Sequence, residues 1–364
     1  MATKIIPSDE QRQEKASKLL PIGSYLQDYQ EQLGDGSLKY RGLESGFEEI
    51  DQLISGLDRF VLLAGRSGAG KTTLAIQLAL GVAEHKTPVL IYSLEMCRNE
   101  ILTKFLQAAC HSGRYMGEAN GLYANTIELN GNRADLDQVS RKGIDDGLKH
   151  LGKLGDLIYI RDSSNGIPPI LDTNATKKAD SKTEARSIYR DVEDAKASHG
   201  VDKVLVVIDS VQDIVPSSNN QVQAEVKALA DLTTLQQKTG AAILVTAQKN
   251  KASTTSVDSY GDVMGSMSFI HKPNTVLTLE TPREMLRGMG GGKNGGLTAE
   301  QQKTLKELEE NAKHGQHKPM ALQVLKGRFT GTGVLPLSYY GAWGYFTAEE
   351  DLNFKDFYDK LEGN

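Results

Sequence analysis

The chain has 364 residues, a formal net charge of −5 and a hydrophobic fraction of 39%, which suits one large globular domain or two ordinary ones. No apolar run is long enough to span a bilayer, the N-terminus lacks a signal peptide, and the two cysteines do not support a disulfide framework. We therefore expect a reduced, cytoplasmic protein with no membrane partner. The acidic balance excludes a broad basic face that coats DNA and leaves only local nucleic-acid contacts, such as loops lining a pore.

The first predicted element is a helical arm over residues 8–33. Ser8 and Gln11 fit a capping box, and an apolar stripe follows at helical spacing. Pro21 is expected to divide the arm, and Gly34 ends it. We assign residues 1–41 to this arm and its linker. Two interpretations stay open: the helix packs on its own domain, or it docks on a neighbouring subunit.

From residue 58 onward, short apolar runs alternate with amphipathic helices. The predicted strands are Phe60–Ala64, Val89–Ser93, Leu157–Ile160, Val204–Ile208, Ala242–Thr246, Thr275–Leu279 and Ala321–Leu325. The predicted helices are Lys71–Ala83, Arg98–Ala109, Asp135–Leu151, Lys182–Ser198, Gln221–Lys238 and Ala299–Lys313. Continuous β-branched runs separated by helices predict an α/β fold with a buried, mostly parallel sheet.

Two segments interrupt this alternation. Residues 163–180 are rich in turn-forming residues, and residues 283–298 form a glycine-rich connection. The second contains no Gly-Lys-Ser/Thr, so we interpret it as an exposed linker inserted into the domain.

A phosphate-binding loop is predicted directly after the first strand. The stretch GRSGAGKT matches G-x-x-x-x-G-K-[ST], with a strand before it and a helix after it. Small residues let backbone N–H groups turn toward phosphate oxygens, and the helix N-terminus favours the same anion. The predicted nucleotide-binding residues are Gly65, Arg66, Ser67, Gly68, Ala69, Gly70, Lys71, Thr72 and Thr73. The expected ligands are ATP, held by Lys71, and Mg²⁺, held by Thr72.

Polar residues at other strand ends complete the predicted site. Asp209 ends the apolar run VLVVI and is predicted to be the second magnesium ligand. Glu95 and Asp213 compete for the role of orienting water. Glu95 has the better position, at the end of an adjacent strand, whereas Asp213 is expected to be a loop or capping residue. Gln248 ends another strand and could sense the terminal phosphate.

Several further motifs occur in the order of one known family. They are GLESGFEEID at Gly42–Asp51, SLEM at Ser93–Met96, IDSVQ at Ile208–Gln212, ALA at Ala228–Ala230, TAQ at Thr246–Gln248, LKGR at Leu325–Arg328 with GTG at Gly331–Gly333, and WGYF at Trp343–Phe346. Together they resemble the RecA-type motor domain of DnaB-family replicative helicases, over about residues 42–348. The remaining residues, 349–364, form a tail.

The resemblance implies a RecA-like sheet in a homo-oligomeric ring, usually a hexamer, with ATP between subunits. It implies that Glu95 is the general base, and that Lys326 and Arg328 reach the neighbour's nucleotide in trans. In the family, a linker helix packs on the adjacent subunit, a role that the arm at 8–33 is placed to fill.

Two departures from the family affect the expected partners: the first leaves little for contact with a primase or loader, and the second weakens the expected DNA contact. Only about 40 residues precede the motor domain, where the family carries a collar domain. The stretch Asp262–Ser268 lacks the family's charged pore-loop pair. Lys249 and Lys251 could compensate, and the backbone of Gly265 and Ser266 could contact phosphates.

We therefore expect a magnesium-dependent ATPase that translocates on single-stranded DNA and unwinds duplex during replication of a phage, plasmid or similar element. One alternative is a DnaB-like ATPase that does not unwind DNA and acts as a nucleotide-switched regulator or adaptor of a protein partner. A second is a RecA-like recombination ATPase, which the helical arm disfavours.

Overall fold

The computed structural model describes residues 41–111, 131–172, 186–215, 221–249, 268–284, 299–314 and 317–348, with a few single positions outside these ranges. The chain divides into two compact units, Met1–Arg41 and Gly42–Asn364. The predicted arm lies almost entirely outside the described residues, and the predicted tail lies entirely outside them.

The second unit alternates helices and strands in the predicted manner. Its helices are α1 (Glu48–Ile54), α2 (Lys71–Glu84), α3 (Arg98–His111), α4 (Gln138–Leu154), α5 (Ile188–His199), α6 (Gln221–Thr239), α7 (Ser268–His271) and α8 (Ala299–His314). Its strands are β1 (Phe60–Gly65), β2 (Val89–Ser93), β3 (Ile158–Asp162), β4 (Leu205–Asp209), β5 (Ala242–Gln248), β6 (Thr275–Glu280), β7 (Lys318–Gly327), β8 (Gly333–Tyr340) and β9 (Tyr345–Ala348).

All nine strands form one sheet in the order β3-β2-β4-β5-β1-β6-β7-β8-β9. The strands from β3 to β6 in this order are mutually parallel, whereas β7, β8 and β9 are added in antiparallel pairs. The predicted α/β class with a mostly parallel sheet is confirmed. Because β1, β2, β4 and β5 are parallel neighbours, their carboxyl ends meet at one edge.

The core lies on both faces of the sheet, as continuous apolar strands require. In β1, Val61 and Leu63 pack with α2 and α3, whereas Phe60 and Leu62 pack on the layer that contains α5 and α6. All six residues of β1 are buried. The strand that leads into the phosphate loop is therefore fixed from both sides.

Helix starts differ from prediction where a polar side chain caps the chain. The predicted helix Lys182–Ser198 begins at Ile188, because the Ser187 hydroxyl accepts a hydrogen bond from the Arg190 N–H. The helix predicted from Asp135 begins at Gln138, because the Asp137 carboxylate accepts from the Ser140 N–H over 2.7 Å. Capping oxygens satisfy N–H groups that the first helical turn leaves without partners.

The entry segment before β1 contains a short helix, α1, that the strand-and-helix pattern did not predict. The buried Asp51 carboxylate accepts from the Ser45 N–H over 2.9 Å and from the Ser45 hydroxyl over 2.8 Å. Burial raises the pKa of Asp51 to about 6, although the Ser45 hydrogen bonds oppose this rise. The pair fixes the path of the chain into the sheet.

Within the described part of the chain, every helix is too short or too polar to cross a membrane.

Candidate nucleotide site

The loop predicted to bind phosphate connects β1 to α2. Gly68 and Gly70 have positive φ values of 74° and 93°, a backbone conformation that favours glycine. At position 65 a glycine lets the loop backbone lie close to β6, since an added Cβ would lie 2.8 Å from the Leu279 carbonyl oxygen. The Arg66 guanidinium forms an ion pair with Glu284 over 3.2 Å. The loop is thus attached to the segment that follows β6, and its first glycine lies against β6 itself.

Thr72 and Asp209 meet at the mouth of this loop. The Thr72 hydroxyl donates to the Asp209 carboxylate over 2.8 Å, and the Thr246 hydroxyl on β5 donates to its other oxygen. Asp209 is only 4% exposed. Its carboxylate is therefore held in place by side chains from two other elements.

Lys71 lies in the same place. Its ammonium donates to the Arg66 carbonyl oxygen over 3.0 Å. Burial lowers the pKa of Lys71, while the nearby Asp209 and Glu95 carboxylates oppose that shift. A partly desolvated ammonium beside the backbone N–H groups at the start of α2 is suited to binding a phosphate.

Glu95 and Gln248 reach the site from neighbouring strand ends. The Leu94 N–H donates to the Asp209 carbonyl oxygen over 3.0 Å, so the β2–β4 hydrogen bonds continue up to the residue before Glu95. Both Glu95 and Gln248 are exposed. Asp213 instead accepts hydrogen bonds from the N–H and hydroxyl of Ser210, the local role expected of it.

These side chains line one cavity of about 220 Å³. The cavity is bounded by Ser67, Gly68, Gly70, Lys71, Thr72, Thr73, Glu95, Lys104, Asp209, Ser210, Gln248 and Tyr339. The predicted residues from four strand ends are thus together. They leave room for a phosphate chain.

Lys104 is a lining residue that sequence reasoning missed. It extends from α3, and its ammonium donates to the Thr73 hydroxyl over 3.1 Å. Burial lowers the pKa of Lys104, and the Asp209 and Glu100 carboxylates oppose that shift. It brings a second ammonium to the cavity beside Lys71.

An aromatic pair packs against the loop at Gly70. Tyr339 on β8 stacks on Phe346 on β9 with ring centroids 4.4 Å apart. The amide side chain of Gln77 both donates to the Phe346 carbonyl and accepts from its N–H, each over 2.9 Å. The antiparallel extension of the sheet is therefore attached to α2, directly behind Gly70.

The oxygen donors at the loop mouth fit magnesium, which prefers hard oxygen ligands and keeps waters and phosphates in its shell. The Thr72 hydroxyl and Asp209 carboxylate supply two such donors in contact with each other. No cluster of three or more His, Cys, Asp or Glu side chains able to hold a metal occurs among the described residues. With Thr72 and Asp209 as its protein ligands, the ion would complete its shell with water and nucleotide phosphates.

The predicted DNA-contacting residues are only partly described. Lys249 forms an ion pair with Glu280, and the two side chains are 10% and 12% exposed. Its charge is therefore neutralised within the chain. Lys251, Gly265 and Ser266 lie outside the described residues.

Lys326 and Arg328 do not lie at this cavity. Both are at the opposite edge of the sheet, near the residues that precede β1 and β6. Arg328 is exposed and its N–H donates to the Asn274 carbonyl over 3.0 Å. Lys326 donates to backbone carbonyls of its own chain.

A family profile described as an AAA domain matches residues 28–254, more than half of the chain. The replicative DNA helicase DnaB of Leifsonia xyli is 40% identical over 77 residues, 20% of this chain and 16% of that protein. The DnaB of Synechocystis is 26% identical over 216 residues, 58% of this chain and 21% of that protein. These matches span about a fifth or less of each relative.

Two solved structures share the fold. An isolated ATPase domain superposes with a TM-score of 0.66 at 17% identity, over 92% of this chain and 100% of that chain. A DnaB-like replicative helicase, solved to describe its interactions with primase, superposes with a TM-score of 0.64 at 18% identity, over 92% of this chain and 68% of that chain.

Proposed function

Because this chain belongs to the AAA-domain family and is a DnaB-like motor domain with a RecA-type fold, we propose that it hydrolyses ATP with magnesium to move along single-stranded DNA. The observation that carries the proposal is the single cavity where Lys71, Thr72, Asp209, Glu95 and Gln248 converge. These groups come from different strand ends, and each has a chemical role in phosphoryl transfer to water.

The roles follow from the chemistry of each group. The loop N–H groups and Lys71 bind the phosphates, and Thr72 with Asp209 would hold magnesium. The bound ion would supply charge neutralisation on the phosphate oxygens. Glu95 accepts a hydrogen bond from the attacking water and then accepts its proton as general base. The Gln248 amide donates a hydrogen bond to the terminal phosphate.

The position of Arg328 supports a homo-oligomeric ring. Phe329 beside it lies under the Arg59 guanidinium, 5.1 Å from the ring centroid. Arg59 precedes β1, whereas the phosphate loop follows it, so a six-residue strand of roughly 20 Å separates the two ends. Arg328 is therefore out of reach of the nucleotide cavity of its own subunit, which supports our proposal that it serves the nucleotide of a neighbour in a ring, expected to be hexameric.

The DNA contacts in this proposal rest on the segment after β5. Lys251, Gly265 and Ser266 are the proposed contributors, while Lys249 would have to leave Glu280 in order to take part. The names of the relatives support a replicative role, in which the chain unwinds duplex and works with a replication protein partner. A phage, plasmid or similar element is the proposed setting.

One observation favours a second candidate function. The ion pair of Lys249 with Glu280 neutralises a predicted DNA contact. A DnaB-like ATPase that switches a protein partner, without unwinding DNA, would need no such contact. Turnover that does not respond to DNA distinguishes this function from the first.

The test is ATP turnover by the purified chain with and without single-stranded DNA, beside Lys71→Ala. Single-stranded DNA is expected to raise turnover several-fold, and Arg328→Ala is expected to abolish it. Turnover that is indifferent to DNA at low and moderate salt supports the switch function instead. No turnover above the Lys71→Ala blank rejects the ATPase proposal.

A further inference from the structure

A buried ion pair joins the ends of the two strands that flank β1. Lys249 directly follows β5, Glu280 is the last residue of β6, and their side chains are 10% and 12% exposed. Between them lies Gly65, the first residue of the phosphate loop, which is paired with Gln248 on one side and with Leu279 on the other. The ion pair therefore crosses the end of β1 at the point where the loop begins.

The pair lies on the face of the sheet opposite α2. Side chains alternate between the two faces of a strand, and Ala247 of β5 and Val276 of β6 belong to the core on the side of α5 and α6. Lys249 and Glu280 share that face with them. Ala64, opposite Ala247, places only a methyl group there, which leaves room for a contact that spans two strand spacings, about 10 Å. The loop thus leaves the sheet toward α2 with the ion pair directly behind it.

Both ends of the ion pair are adjacent to contacts with the loop. The Lys249 N–H donates to the Gly65 carbonyl oxygen over 3.0 Å. On the other side, one oxygen of the Glu284 carboxylate accepts from the Thr281 N–H over 2.9 Å, while the other pairs with the Arg66 guanidinium over 3.2 Å. The first two residues of the loop are therefore held by the segments that carry the two charges.

Stability alone does not account for two buried charges at this place. The cost of removing both from water offsets most of their attraction, and apolar side chains of similar volume often stabilise a protein as well or better. What an ion pair adds is direction, because the ammonium and the carboxylate meet in a defined geometry. Since β1 lies between β5 and β6, that geometry sets the separation of the two strands and the place where the loop starts.

We propose that Lys249 and Glu280 are positioning residues for nucleotide binding, which fix the root of the phosphate loop so that its N–H groups and Lys71 meet the phosphates. Neither of the two residues lines the nucleotide cavity, so both act through the loop backbone. This inference rests on the nucleotide site of the proposed function. It gives Lys249 a role within its own chain in place of a contact with DNA.

The first experiment measures the affinity for a fluorescent ATP analogue with magnesium, beside urea unfolding of the same variants. Lys249→Met and Glu280→Met each leave one buried charge without its partner. Each is expected to weaken binding about tenfold and to lower the urea midpoint. The double variant, which leaves no buried charge, is expected to regain the midpoint but not the affinity, because two flexible methionines pack without a fixed geometry. Regained affinity in the double variant would assign the pair a structural role and overturn the proposal.

Arg283→Gln is the matched control. It breaks the ion pair of Arg283 with Glu309, which lies in the same segment after β6 but is exposed on both sides. Exposed pairs contribute little, so affinity for the analogue is expected to stay within about twofold of the original. A loss equal to that of Glu280→Met would show that any change after β6 disturbs the loop, and it would contradict a role specific to the buried pair.

Glu280→Gln separates positioning from a DNA contact of Lys249. The uncharged amide releases the ammonium, so a lysine that serves DNA would bind single-stranded DNA more tightly in this variant. A positioning pair predicts DNA affinity within about twofold of the original and analogue binding about tenfold weaker. Tighter DNA binding with unchanged analogue binding overturns the proposal. If the original chain binds the analogue no better than Lys71→Ala does, the nucleotide site is rejected and the proposed function with it.

Discussion

The Thr72 hydroxyl lies 2.8 Å from the Asp209 carboxylate, although 137 positions separate the two residues along the chain. Asp209→Asn keeps the shape of the side chain but removes the charge that a magnesium ion requires. We expect turnover to fall on the order of 100-fold, and the magnesium concentration for half-maximal rate to rise. Titration of turnover against magnesium measures both.

Asp213→Asn is the matched control for this change. Asp213 is the same residue type four positions later, and it bonds only Ser210 among the described contacts. Its variant is expected to keep turnover within threefold of the original. Equal losses in both variants would contradict a metal role specific to Asp209.

Lys104 adds a half-buried positive charge to the nucleotide cavity. Lys104→Met is expected to weaken binding of an ATP analogue by about tenfold, since a charge-assisted hydrogen bond contributes about 1.5–3 kcal/mol. Lys104→Arg keeps the charge and is expected to recover part of that loss. A fluorescent ATP analogue titrated at fixed magnesium provides the measurement. Thr103→Ala, whose hydroxyl bonds only the Asn99 carbonyl of the same helix, is the control, and a similar loss there would assign the effect to α3 as a whole.

Gly70 combines a positive φ with a close aromatic neighbour. An added Cβ would lie 2.7 Å from Phe346 Cζ and 3.1 Å from Tyr339 Cζ. Gly70→Ala is therefore expected to lower the free energy of unfolding by about 1–3 kcal/mol and to weaken ATP binding more than tenfold. Urea unfolding and nucleotide titration check these two results.

Gly68→Ala separates the two causes of that effect. Gly68 also has a positive φ, of 74°, but an added Cβ there would have no neighbour within 4 Å. Gly68→Ala is therefore expected to cause backbone strain without a steric clash, and so to lower the free energy of unfolding less than Gly70→Ala does. If both variants lose the same stability, the Tyr339–Phe346 pair does not limit space behind the loop.

Asp51 makes the stability of the domain depend on pH. Its folded pKa of about 6 lies above its ordinary value of 3.8, so the folded state binds this proton more tightly. The resulting stabilisation is complete below about pH 4 and is lost as pH rises through 6. Between pH 4 and pH 8 it amounts to about 2–3 kcal/mol, at about 1.4 kcal/mol per pKa unit.

Asp51→Asn tests this dependence, because an amide keeps the shape and does not titrate. The stability difference between the variant and the original chain is expected to change across pH 4–8, in favour of the variant at higher pH. Urea unfolding at several pH values measures it. A difference that is constant with pH would mean that Asp51 is charged throughout.

The sequence predicted the parts of the site that depend on strand ends. Glu95, Asp209 and Gln248 each follow an apolar run, and the loop motif is contiguous, so local pattern was sufficient. Lys104 could not be found in this way, because its place depends on how α3 packs. Nothing in the sequence around it distinguishes it from a surface lysine.

The antiparallel part of the sheet was harder to predict. In β8, Pro336 and Ser338 interrupt the apolar pattern, and β9 has only four residues. Periodicity predicted no strand after Ala321–Leu325, and only motifs of the family resemblance lie in this region. In its pairing with β6, β7 also carries one extra residue, which only the register shows.

The pairing of β2 with β4 places Ser93 opposite Asp209, two residues before Glu95. The spacing between the carboxylate proposed to polarise water and the one proposed to hold magnesium is therefore set by backbone hydrogen bonds between adjacent strands. Such spacing does not change unless the sheet itself opens. We therefore expect turnover to be controlled by a group outside this frame, and Arg328 of a neighbouring subunit is the group proposed for that role.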